Sequence, residues 1–410
     1  MLKRPPSSSR GLPWQAAHPV WMCGMRPFFL LAMGSALGLV LWWLLVLGAG
    51  LPPPPVAGGP MVWHVHELVF GFALAAVAGF ALTAIPEFTG APGATRGQLR
   101  ALVALWLLGR VGFWGSGLAG APALVLAALA HLGLLLGLAA VLARPLWAPA
   151  GRRHAAFWWA LLALAVAVAG FYADALRGLP SLRWLHLALG LLMLLIVVAM
   201  SRISMRIVNR AIEQVTPSAP PYLARPPRRH LATLCIALYT AAEFLQPGTQ
   251  LAGWLALAAS ASVFHLMSDW HVGRALLRRT PLMLYAVYAC MALGYGALGL
   301  AHLGAGGAPG AGRHLLTMGA VGLNIFAVIF IAGRAHCGLP PDTSRWIPLA
   351  AAVLLLATAV RAGAAWWGGG PAWLMAAGLG WCAAFAVLLW RIGPALWRAR
   401  ADGREGCEGP

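Results

Sequence analysis

Residues 61–90 read MVWHVHELVFGFALAAVAGFALTAIPEFTG, and this stretch decides the fold. Two histidines and a glutamate, His64, His66 and Glu67, stand in the opening turn of a long apolar run. About 20 apolar residues follow, enough to cross the hydrocarbon core of a bilayer as a helix. Pro86 and Gly90 punctuate its end. Ionisable groups at the mouth of a membrane helix are costly unless they pair, bind a metal or face a cavity. On a regular helix His64 and Glu67 share a face, and His66 points nearly the opposite way. Two assignments follow from that spacing. Either His64 and Glu67 pair while His66 faces the bundle, or the roles reverse. A hydrated rim in which the histidines hold nothing is the third reading.

The rest of the chain has the same character. It has 410 residues, 61% of them hydrophobic and only 10% charged. A soluble protein carries roughly 25% charged residues, so too little polar surface is present to wrap a water-soluble core. The composition specifies an all-α integral membrane protein. The first apolar run, residues 28–50, is too long for a secretory leader and is expected to remain as a helix. The net charge of +19 does not point to nucleic acid. Its arginines fall in short clusters between apolar runs, which is the footprint of membrane topology. The six cysteines, Cys23, Cys235, Cys290, Cys337, Cys382 and Cys407, include no CxxC pair. They read as small buried hydrophobes, with no disulfide framework visible.

Twelve apolar segments are expected, at about 28–50, 62–86, 99–118, 121–143, 155–176, 181–203, 229–246, 250–266, 281–303, 312–333, 346–367 and 371–394. A polar arm (residues 1–27) precedes this membrane domain (28–397), and a charged tail (398–410) follows it. With the N-terminus in the cytoplasm, the clusters at Arg152 and Arg153, Arg202 to Arg229, Arg274 to Arg279 and Arg391 to Arg404 all fall on the cytoplasmic side. Both termini are then cytoplasmic. Bacterial inner membrane is the expected location, with lipids as the surrounding partner.

The second, sixth and tenth segments each carry a histidine near the start, in WHVHELVFG, RWLHLALG and GRHLLTMGAVG. His66, His186 and His314 are separated by similar lengths of chain, each about four helices long. The chain therefore reads as three pseudo-repeated four-helix units, at about 28–143, 155–266 and 281–394. A lone histidine usually finds a backbone or water partner. Recurrence at one depth on three helices favours a ligand role for these three. Met318 lies one turn below His314. Imidazole suits iron and copper, and thioether suits copper(I) or haem iron, although methionine also fills gaps in cores. Gly71, Gly79, Gly319 and Gly322 allow close helix approach or room for a flat macrocycle.

A second polar group falls on the cytoplasmic side: His265 and His271 flanking Asp269, and Arg334, His336 and Cys337. Zinc or copper could use such residues, and loop hydration is the favoured reading. Arg110 sits inside a segment with no acid within a turn, so its partner must come from another helix. No P-loop, dinucleotide-binding glycine motif, CxxCH haem attachment or serine nucleophile elbow is present.

Three stretches resemble the NnrS family of bacterial membrane proteins. They are RPFFLLA at 26–32, the run from Trp63 to Gly90 continuing into LWLLGR at 105–110, and HLLTMGAVGLNIFAVIFIAGRAHCG at 314–338. The segment RRTPLMLYAVYACMALGYGALGLA at 278–301 is also similar. The resemblance implies a haem- and copper-containing inner-membrane protein linked to nitric oxide and to nitrosative stress. It implies nitric oxide or iron-nitrosyl species as partners, an unidentified electron donor, and no settled reaction. The helix plan also resembles the haem–copper oxidase core subunit, where histidines on helices 2, 6 and 10 hold haems and copper. Helix 7 departs from that subunit: YTAAEFLQPG at 239–248 offers no histidine pair, which puts an oxidase-type copper site in doubt. On this reading His66, His186 and His314 are the expected haem or metal ligands, with His64, Glu67 and Met318 as second or alternate ligands. A metal or small-molecule transporter using the same histidines is the competing expectation.

Overall fold

The helix expected over residues 62–86 runs from Gly59 to Thr89 as α2 in the computed structural model, and the other elements are arranged around it. The structure describes residue 15 and residues 17–407. Most of the expected N-terminal arm (residues 1–14 and 16) and the last three residues of the tail lie outside it. In chain order the long helices are α1 (Met25–Gly48), α2, α3 (Arg96–Trp114), α4 (Ala121–Trp147), α5 (Ala156–Leu176), α6 (Leu182–Val215) and α7 (Pro226–Leu245). They continue with α8 (Gln250–Met267), α9 (Arg279–His302), α10 (Pro309–Ala335), α11 (Trp346–Trp367) and α12 (Pro371–Trp397). No strand occurs among the described residues.

Ten of these helices are long and apolar enough to cross a membrane; α3 and α7 are not among them. The difference from the expected twelve has a plain cause. Arg96, Arg100 and Arg110 fall in α3, and Arg228, Arg229 and Glu243 in α7, which lowers the apolar content of both. The remaining helices turn large apolar side chains outward, among them Leu129, Val166, Leu356 and Trp390. Such a surface suits lipid.

Helix starts follow local chemistry. Prolines open α2, α4, α7, α10 and α12, where a missing N–H costs nothing. Thr95 and Gln98 close a reciprocal capping box at α3. α6 runs on to Val215, past the expected boundary near 203. There Asn209 accepts from the Tyr222 N–H (2.7 Å) and donates to the Tyr222 carbonyl (3.2 Å), folding the following loop back.

Successive helices pack side by side; α4 also packs on α5, α8 on α9, and α12 returns to α1. α2 is the most completely buried of the membrane-length helices. With α6, α10 and Phe29 of α1 it lines a mostly apolar central cavity of about 50 Å³. Both α2 and α10 widen into a π-helical stretch directly after a histidine, at Glu67–Ala73 and at Leu315–Gly322. Such turns free backbone groups and recur at functional sites. The Gly71 carbonyl in the first of them accepts from the Trp106 indole at 3.1 Å.

The glycines are used for close approach. A Cβ at Gly71 would meet the Arg110 guanidinium, at Gly79 the Phe29 ring, at Gly319 the Cys290 side chain and at Gly322 the Trp381 ring. These spaces are filled by the protein's own side chains. Gly112 meets backbone instead, since a Cβ would stand 2.7 Å from the Ala127 nitrogen on α4, which cannot swing aside.

Histidines 64, 66, 186 and 314 all lie in the opening turns of α2, α6 and α10, at what is here termed the histidine end. The opposite, arginine-rich end departs from the sequence reading. Cys23 and Cys407 are joined in a disulfide across a sequence separation of 384 residues, so these two are not simple buried hydrophobes. Cys290, Cys337 and Cys382 are buried and free, as expected. His265 and His271 are exposed, in keeping with hydration. His336 is instead buried, with Nε2 3.4 Å from Glu87 and Nδ1 on the Cys407 carbonyl, and Cys337 is buried beside it. The Arg26 side chain, fully buried, donates to the carbonyls of Leu396 and Arg398. The tail thus straps the arginine end by contacts that no local pattern announces.

Two outcomes test this packing. Gly112→Val should lower stability by about 1–3 kcal/mol through overpacking. Gly34→Ala, with open space around it, should not. Thermal unfolding in detergent followed by tryptophan fluorescence reads both. Burial alone would raise the Asp342 carboxyl, but hydrogen bonds from Ser344 and Trp346 and the Arg334 guanidinium outweigh it and hold it at about 2. Because the folded value lies below the ordinary carboxylate value, this clasp is complete above about pH 4. It should be lost as pH falls through 2. Pepsin cleavage of the 336–345 loop should rise across that window in the native protein, and Asp342→Asn should show raised cleavage already at pH 4.

Candidate functional site

Arg110 projects from α3 toward the π-helical turn of α2, where Gly71 leaves room for it. Its Nη1 lies 3.0 Å from Glu67 Oε1, and Nη2 contacts Nε2 of His131 on α4. Glu67 Oε1 is also 2.9 Å from His66 Nδ1. His66 Nε2 is 2.9 Å from the Tyr172 hydroxyl on α5, and that hydroxyl is 3.0 Å from His131 Nδ1. His131 Nδ1 lies 2.8 Å from the Ala127 carbonyl as well. His66, Glu67, His131 and Tyr172 are all buried, and His66 stacks on Phe113 with ring centres 3.5 Å apart.

The proton positions around this ring follow from one fact: a guanidinium can only donate. His131 Nε2 is therefore the lone-pair nitrogen, and Nδ1–H is shared between Ala127 and the Tyr172 oxygen. The Tyr172 O–H must then donate to His66 Nε2. His66 carries its proton on Nδ1 and donates it to Glu67, which also accepts from Arg110. Arg110 Nε is buried without a partner among the described residues; the other donor groups in this chain reach acceptors, with one positive and one negative charge. That satisfies the rule for burying charge without water.

Glu67 pairs with His66 and Arg110, so the assignment that pairs it with His64 does not hold, and His64 lies elsewhere. The π-helical widening begins at Glu67, so the face rule for a regular α-helix does not sort residues 64–67. His131 and Tyr172 were not picked out by the sequence. The available signal was a lone histidine and a lone tyrosine inside apolar runs, where an ionisable group is a functional candidate by position.

His314 and His64 occupy a second setting. His314 Nδ1 donates to the Gly310 carbonyl at 2.7 Å, which leaves Nε2 as a lone pair. His64 stacks on Trp43, ring centres 4.7 Å apart. The His64 ring and the Arg361 guanidinium both lie within electrostatic reach of His314. Met318 is partly buried against the core. His186 occupies a third setting, a small cavity of about 20 Å³ whose mostly apolar wall also carries Tyr239, Glu243, Tyr295 and Arg313. Glu243 there holds Arg313 at 3.0 Å and faces His302 at 3.3 Å. The Tyr295 hydroxyl is buried without a partner among the described residues.

His66, His186 and His314 thus stand in three different polar settings. Among the described residues no three histidine, cysteine or acidic side chains form a metal-binding group. The donor set nevertheless fits a haem or metal at one place. His314, with Nδ1–H anchored on a carbonyl and Nε2 open, has the arrangement of a ligating imidazole, and His64 lies near it. His66 fits less directly, since both of its nitrogens are engaged.

Fold and site together define a multi-pass helical membrane protein with ionisable groups concentrated at one end. Residues 19–400 match the family described as NnrS protein, and the chain belongs to that family. No curated protein matches the chain.

The ring predicts a non-additive mutant cycle. Arg110→Met leaves Glu67 buried and uncompensated and should cost about 3–5 kcal/mol. Adding Glu67→Gln should recover part of that loss, measured by thermal unfolding in detergent. Equal and additive losses would rule out the pairing.

Proposed function

We propose that this protein binds haem, with copper as a second candidate metal, at its histidine end and handles nitric oxide or iron-nitrosyl species. Family membership associates it with the nitric oxide response. The observation that carries the reading is the His314 imidazole, held in one tautomer by Gly310 with its other nitrogen open, beside His64. His314 is the first ligand, His64 the nearest second imidazole, and Met318 an alternate donor. His186 completes the expected set from α6. His66 would have to exchange the Tyr172 hydroxyl to join them, and otherwise stiffens α2 through Glu67. Bound haem would supply an iron coordination position for nitric oxide. The protein's own part is to orient the imidazoles, keep them neutral in a dry setting and exclude water.

The reading extends to topology. α3 and α7 complete twelve spans, each burying one face against its neighbours and turning leucines such as Leu107 and Leu234 outward, in three four-helix units. The packing of α4 on α5, α8 on α9 and α12 on α1 supports a closed ring of such units. The arginine-rich end faces the cytoplasm of a bacterial inner membrane, by the positive-inside rule. The Cys23–Cys407 pair would then face a reducing compartment, where such pairs are ordinarily held as thiols.

The small cavity that His186, Glu243 and Arg313 share supports a second reading, a transporter of metal or a small molecule. One measurement separates the two. An absorption spectrum and metal analysis of detergent-purified protein should show a Soret band and stoichiometric iron. His314→Ala should remove or shift that band while the protein still inserts. Unchanged spectra in both His314→Ala and His66→Ala would remove those assignments. A colourless protein with metal-dependent uptake would support the transporter.

A further inference from the structure

We propose that Arg361, within electrostatic reach of His64 and His314, is an anion-binding site that holds the carboxylate or oxyanion group of a bound small molecule. It deepens the cofactor reading, because a haem carboxylate is one such group, but it stands without haem.

The argument begins with charge. Arg361 lies in α11, about 9 Å by helical rise from the helix end at Trp367, and is half-buried. A guanidinium at membrane depth is costly unless it is paired. The comparable arginines at the histidine end are paired. Arg110 rests on Glu67 at 3.0 Å, Arg183 on Asp174 at 2.9 Å, and Arg313 on Glu243 at 3.0 Å. Among the described residues no carboxylate, carbonyl or aromatic face takes the Arg361 guanidinium. Its neighbours within electrostatic reach are the two imidazoles, His64 from α2 and His314 from α10.

The surroundings are also positioned for a ligand. His64 and His314 lie five residues into their helices, about 7–8 Å from the start by rise, a depth close to that of Arg361. The His64 ring is held flat against Trp43, and no hydrogen bond uses its nitrogens among the described residues. One N–H is therefore free to donate. His314 has committed its N–H to Gly310. A carboxylate or oxyanion can accept two parallel bonds from a guanidinium and a third from an imidazole N–H. Such a ligand would supply the negative charge that three helices leave out. The same chemistry could come from a haem carboxylate, a free oxyanion or a phospholipid headgroup reached by the long side chain.

The test uses the full chain purified in detergent, with nitrite as the free-anion probe. Wild type, Arg361→Gln and Arg361→Lys are compared by calorimetric titration, haem content and native mass spectrometry of retained lipid. Folding of each variant is checked by circular dichroism. Loss of bonds to a charged group predicts that Arg361→Gln weakens nitrite binding by about tenfold or more. Arg361→Lys should retain part of it and serves if the Gln variant does not fold. If a haem carboxylate fills the site, nitrite binding appears only after haem extraction, and Arg361→Gln lowers haem retention or shifts its band. If phospholipid fills it, the retained lipid is lost in Arg361→Gln. A colourless wild type with Arg361-dependent nitrite binding would sink the haem reading and leave this one standing. Folded variants with unchanged nitrite affinity, haem content and retained lipid would overturn the anion site, whatever becomes of haem.

Discussion

A charged side chain in a low-dielectric interior must find its opposite, and the Arg110–Glu67 pair shows how far that requirement organises this protein. Arg110 comes from α3, Glu67 from α2, His131 from α4 and Tyr172 from α5. One guanidinium therefore ties four helices together and fixes the proton of each imidazole it reaches. The π-helical turn at Glu67 and the missing side chain at Gly71 make room for the pair. Without these local features the pair could not be buried, and without the pair the widened turn would leave charge unsatisfied.

The same physics separates the two ends of the bundle. At the arginine-rich end, charges meet backbone carbonyls, loop carboxylates and the tail, and the result is a strap. At the histidine end, charges lie between helices that lipid surrounds, and each must be answered inside the protein. Glu243 answers Arg313 and Asp174 answers Arg183. An imidazole, His302, stands 3.3 Å from Glu243 beside the first of these pairs.

Much of the architecture was readable from residue order. Arg110 was marked as needing a partner on another helix, and the partner is on α2. The long apolar runs became helices close to their expected places. Other features were closed to a one-dimensional reading. The spacing of His64, His66 and Glu67 was sorted by a regular α-helix, which the π-turn does not respect. His131 and Tyr172 look like ordinary interruptions of apolar runs until they are seen across from His66. Cys23 and Cys407 are as far apart as two residues in this chain can nearly be, and only docking of the tail brings them together.

Composition and periodicity by themselves determined a multi-pass helical membrane protein with its ionisable residues gathered at helix mouths. Those properties depend on how apolar each stretch is, which residue order states directly. Tertiary structure alone decided which imidazole keeps an open nitrogen, which acid neutralises which arginine, and that Arg361 has none among the described residues. Those are properties of contacts between distant segments, and in a medium without water such contacts settle where each proton and each charge resides.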